Sequence, residues 1–127
     1  MTSSDHPGAL LVVARQLSDS PDLRTSPWAT RAIALLVRQA MELWLAQYWD
    51  ATSPAVASVS RKSQFLLLTD RLPEDAAAFA HATWSQLSHA CHHRVFDLEP
   101  TIAQSIAWIE AAEAFGDALR ATARTDH

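Results

Sequence analysis

The stretch SPWATRAIALLVRQAMELWLAQYW, residues 26–49, decides the fold. Ser26 ahead of Pro27 places a capping hydroxyl before a proline suited to the first helical turn, so a helix starts there. At 100° per residue from Arg31 to Trp49, the residues Ala32, Ile33, Leu36, Val37, Ala40, Met41, Leu43, Trp44, Leu45 and Tyr48 spread over an arc of roughly 220°. One packing face needs less. Such a helix is either the central member of its own bundle or shared with a partner subunit. Trp44 falls in the middle of the arc beside Val37 and Met41, where full burial is expected. The remaining strip carries Arg31, Arg38 and Glu42, with Leu35 and Trp49 nearby. As a solvated stripe, the Arg38/Glu42 pair is worth only a few tenths of a kcal/mol. As a functional strip, its charges point into a shared cleft opposite the histidines.

Working outward from this helix, the chain reads as helical throughout. Glycine occurs only at Gly8 and Gly116, and helix formers dominate, leaving almost no hairpin chemistry. Ser53-Pro54 repeats the start signal of Ser26-Pro27, Thr101 with Gln104 forms a capping-box pattern, and Glu74-Asp75 suits the positive end of a helix dipole. The spacing predicts helices near 8–18, 27–50, 54–69, 73–93 and 101–121, with frayed ends at 1–7 and 122–127. The expected fold is all-α, a single up-and-down bundle of about five helices in one domain over 1–127, its core about 8–121.

Composition narrows the functional classes. The chain has 127 residues, 49% of them hydrophobic, which is enough for one core and too little for two. Its net charge of −4 provides no broad basic face for nucleic acid, so any RNA contact must be local. One cysteine cannot form an internal disulfide, and residues 1–10 do not resemble a signal peptide. The longest apolar runs, 9–14 and 32–37, fall far short of the roughly 20 residues of a membrane span. A cytoplasmic protein without a membrane partner is expected.

Chemistry concentrates in SHACHHR, residues 88–94, which holds three of the six histidines, Cys91 and Arg94. Imidazole titrates nearest neutral pH, and arginine offers a fixed fork of donors to an oxyanion. On the fourth predicted helix Phe79, Ala80, Thr83, Trp84, Leu87, Ala90 and Cys91 share the apolar side, which makes Cys91 a buried small hydrophobe. His89 and His93 lie one turn apart on the opposite side, and His81 and His92 share a flank. Cationic groups in a last helical turn also suit the negative dipole end, which gives His92, His93 and Arg94 a structural role. His89 and His93 could hold two positions on a metal, with Asp97 or Glu99 as a third. No second ligand pair accompanies them, so neither a metal nor a cofactor is expected. No base is fixed beside a nucleophile, and no glycine-rich phosphate cradle exists.

A long helix bearing arginine and glutamate, followed by a helix ending in a polar His/Arg cluster, resembles the HEPN superfamily of prokaryotic toxin and defence proteins, over roughly residues 28–119. The resemblance implies a homodimer whose paired motifs form a metal-independent ribonuclease site. There a histidine works on the 2′-hydroxyl or the leaving oxygen, and an arginine holds the scissile phosphate. The family motif is arginine followed four to six residues later by histidine, whereas this chain has His89 and then Arg94. Two functions are expected from different classes. One is an RNA-cleaving or RNA-binding effector using His89, His92, His93 and Arg94, supported by Arg38 and Glu42. The other is a non-catalytic dimeric module that docks onto a larger protein encoded nearby. The five tryptophans serve core or interface equally well.

Overall fold

Hydroxyl caps start three of the helices. In the computed structural model, which describes residues 6–24, 26–92 and 100–125, α1 runs His6–Asp19, α2 is a single turn at Pro21–Arg24, and α3 spans Pro27–Thr52. They are followed by α4 at Arg61–Leu67, α5 at Glu74–Cys91 and α6 at Ile102–Thr125, with 3-10 turns at Pro54–Ser58 and Leu68–Asp70 on either side of α4. The described residues contain no strand, and the chain is an all-α helical bundle. None of its described helices is long and apolar enough to cross a membrane.

Two of the three expected caps form. Ser26 Oγ accepts from the Trp28 N–H at 3.2 Å, and Thr101 Oγ accepts from the Gln104 N–H at 3.0 Å. Ser53 makes no side-chain cap; its own N–H donates to Trp49 O at 2.8 Å and closes α3. The helix expected over 54–69 is therefore broken. A 3-10 turn leads to extended Val59, and α4 restarts at Ser60, whose Oγ accepts from the Ser63 N–H at 3.1 Å. The buried Gln64 amide repairs the break by donating to Val59 O at 3.0 Å and Ala57 O at 3.4 Å. The outer helices are longer than expected. The first begins at His6 and the last reaches Thr125, so residues 6–7 and 122–125 are helical and not frayed ends.

α3 is the central member of the bundle and packs against every other α-helix. Its buried side comprises Ala29, Thr30, Ile33, Ala34, Val37, Ala40, Met41, Leu45, Tyr48 and Trp49. That side is rotated by roughly 50° from the expected arc. Trp49, expected near the polar strip, is fully buried, donating its indole N–H to Gln64 O at 3.3 Å under the Arg71 guanidinium at 5.1 Å. Trp44, expected to be fully buried, is only partly so. The rotation has a tertiary cause: α4 and its flanking turns close over the Trp49 side. Phe79 departs from its expected apolar face too, standing 59% exposed at the lip of a 60 Å³ cleft between α5 and α6.

Trp44 packs against the backbone of α6 at Gly116. A Cβ placed there would lie 2.7 Å from the indole, whereas one at Gly8 would meet nothing within 4 Å. Gly116→Ala should therefore cost about 1–2 kcal/mol despite its better helix propensity, because the ring must move. Gly8→Ala should be neutral or stabilising by up to about 1 kcal/mol. Urea unfolding of the two variants checks this contrast, and equal effects would contradict it.

Candidate functional site

The charges of the α3 strip meet α5. Arg38 and Glu42 stand one turn apart on α3, and Arg38 Nε donates to Glu42 Oε2 at 3.1 Å. The same oxygen accepts the indole N–H of Trp84, from α5, at 2.9 Å. The Arg38 guanidinium also lies near the thiol of Cys91, two turns further along α5, and favours its thiolate. The partners run in opposite order on the two helices, so α3 and α5 are antiparallel along this seam. Arg38 and Glu42 keep only 27% and 23% of their side-chain surface exposed, so the pair is not the solvated stripe of the simpler expectation. A half-buried carboxylate accepting two donors satisfies itself and holds α5 in place.

Cys91 is half-buried, not fully buried as expected. Burial pushes its thiol above the usual cysteine range, opposed by the nearby Arg38 guanidinium; Glu42 raises it further, and Arg31 lowers it. The protonated thiol is the favoured form near neutral pH. Cys91 borders a depression of about 300 Å³, lined on α3 by Trp28, Arg31, Ala32 and Leu35.

His89 and His92 stand apart from this seam, whereas His81 borders it through Trp84. His89 is exposed on the side of α5 away from the core, as its phase implied, and His92 is exposed where its N–H donates to His89 O at 3.1 Å and closes the helix. His81 is half-buried, stacked on Trp84 with ring centroids 6.3 Å apart and beside Phe65 at the same distance. His93 and Arg94 lie outside the described residues, as do Asp97 and Glu99 of the metal alternative. Among the described residues no three His, Cys, Asp or Glu side chains group closely enough to hold a metal ion. The structure thus brings Arg38, Glu42 and Cys91 together and separates them from His89.

Two further depressions lie elsewhere. One of about 330 Å³ is lined by His6, Leu10, Gln39, Glu42, Leu43 and Arg61. Another, of about 460 Å³, has Trp44 in its wall and charged residues at its rim. Those rim charges are engaged with one another: Arg15 bonds Glu113 at 2.8 Å, and Arg120 pairs with Asp117 while lying 5.8 Å from the Trp44 ring centroid. Trp84 is the seam residue that sequence reasoning missed as a polar partner. Its indole donor was visible, but the 42 residues separating it from Glu42 carry no local signal.

No family model matches the chain, and no curated protein or solved structure matches it.

Because burial and the Glu42 charge both raise the Cys91 thiol while Arg38 lowers it, the sign of each substitution follows. Alkylation by iodoacetamide should rise with pH to a midpoint above that of an ordinary exposed cysteine. Glu42→Gln should move the midpoint down and Arg38→Met should move it up. A wild-type midpoint below the ordinary range would contradict the seam geometry.

Proposed function

We propose that this chain is a non-catalytic helical interaction module, cytoplasmic and HEPN-like in build, which works by associating through the outward face of α3. The observation that carries this reading is the exposure of Trp28 at 81% and Leu35 at 46% on that face. Large apolar side chains cost free energy in water, and their clustering beside a depression marks a surface that another molecule covers. Tryptophan is also the side chain most enriched among residues that dominate binding energy. The engagement of Arg38 and Glu42 with Trp84 and Cys91 supports the same reading, since those charges already have a structural task. A larger protein encoded nearby is a natural further partner for such a module.

The RNA effector reading draws on a different feature. His89 and His92 both face solvent at the C-terminal end of α5, ahead of His93 and Arg94 in sequence. In that reading His89, His92, His93 and Arg94 meet RNA, with Arg38 and Glu42 behind them.

Incubation of the wild-type protein with single-stranded RNA in EDTA separates the two. The module reading expects no cleavage above background. Cleavage leaving cyclic phosphate ends, and reduced about a hundredfold or more by His93→Ala or His89→Ala, would overturn it.

A further inference from the structure

The cleft at Phe79 is lined only by apolar side chains. Ala76, Phe79 and Ala80 of α5 form one wall and Ala111, Ala114 and Ala118 of α6 the other, with the buried Leu72 and Phe115 completing it. Its 60 Å³ is about four to six times what one water needs, which is room for the four carbons of a leucine and too little for a free small molecule. Phe79 stands 59% exposed at the lip, and Ala82 of α5 and Ala107, Ala114 and Ala121 of α6 are exposed as well. Such small side chains leave both helices open to close approach by a third, at the lower end of the usual spacing of about 8–10 Å between axes. The described residues offer no strand edge, so an extended peptide has nothing to pair with here.

Charge selects the occupant. α5 contains no lysine or arginine, and α6 contains only Arg120 and Arg124, close to its C-terminal end. Asp75 lies one turn before Phe79 and Glu110 one turn before Ala114, each on the same outer side of its helix. Both carboxylates are exposed, and among the described residues neither has an ion-pair or hydrogen-bond partner. The two helices run antiparallel: Trp108 Nε1 donates to Gln86 Oε1 at 3.1 Å, whereas the cleft joins the earlier part of α5 to the later part of α6. In that alignment Asp75 and Glu110 stand on opposite walls, about one turn to either side of the cleft and roughly 13 Å apart along its axis.

We propose that this cleft docks a basic amphipathic helix of a partner protein, which inserts one leucine-sized side chain beside Phe79 and sets lysines or arginines, one turn to either side of it, against Asp75 and Glu110. No residue of α3 lines the cleft, so this surface is separate from the outward face of α3 and goes beyond the module reading. The inserted side chain covers Phe79 and the alanines and removes apolar surface from water, which supplies the affinity. The carboxylates steer the approach and reject acidic helices, as rim charges do, acting more on association rate and salt dependence than on binding energy.

Heteronuclear NMR titration of the full chain with synthetic peptides tests this. The probe is an alanine-rich helical peptide with a central leucine and lysines three and four residues to either side, which places cations on both flanks one turn away. The control peptide has glutamate in place of each lysine. The lysine peptide should shift the amide resonances around Phe79 and Ala114, and at low salt it should bind about tenfold or more tightly than the glutamate peptide. Ala114→Leu, at an exposed helical position, should fill the cleft and weaken binding about tenfold or more with unchanged circular dichroism. Asp75→Asn combined with Glu110→Gln should remove most of the difference between the two peptides. No shift with the lysine peptide up to about 1 mM, equal binding of both peptides, or shifts centred on α3 around Leu35 would overturn the proposal. Self-association of the protein that Ala114→Leu abolishes would also overturn it, by assigning the cleft to a second copy of the chain. The RNA assay tests the module reading separately, so either can fail without the other.

Discussion

One constraint organises this bundle: a 26-residue helix must bury most of its circumference without stranding the charges on its flank. Burial of α3 is supplied from all sides, and its apolar side chains Ile33, Val37, Met41 and Leu45 are wholly removed from water. Each such side chain contributes on the order of 1.5–3 kcal/mol to the stability of the bundle. The cost falls at the edge of that face, where Arg38 and Glu42 approach α5. An isolated buried charge would be prohibitive. Pairing them with each other and with the Trp84 indole turns a liability into the fastening of α5.

The same solution recurs along α3. At its C-terminal end the Trp49 indole is buried, and its N–H finds the carbonyl of Gln64. Gln64 is itself buried because its amide supports the carbonyls freed where the chain breaks between the 3-10 turn and α4. Phe65, next to it, joins Trp84 at 5.1 Å and Phe115 at 5.7 Å between ring centroids, tying α4 to α5 and α6. Tryptophan is used here as a hydrophobe that can carry one polar partner inward. Trp28 is the exception, standing exposed.

What was legible in the sequence was local. Ser26 and Thr101 act on residues two or three positions away, so their caps could be read directly. The width of the α3 apolar arc was legible as well, but not its centre. Alanines such as Ala34 and Ala46 fit either side, and only the later closure of α4 over Trp49 selects one. The phase of α5 put His89 on the outer side correctly. The role of Arg38 and Glu42 was not legible, because their partner Trp84 arrives from another helix and hydrogen bonding across 42 residues has no sequence period. The break at Val59 was hidden for a similar reason: Ser53 carries a start signal, yet its N–H is consumed in ending α3.

The central claim is that the charged strip of α3 fastens α5. A double-mutant cycle between Glu42→Ala and Trp84→Phe measures that fastening, since it cancels the separate losses of packing and leaves the hydrogen bond between the two helices. Urea unfolding of the four proteins should give a coupling energy of about 1 kcal/mol or more, as expected for a half-buried bond to a carboxylate. Strict additivity, with the two substitutions costing the same separately and together, would contradict the account.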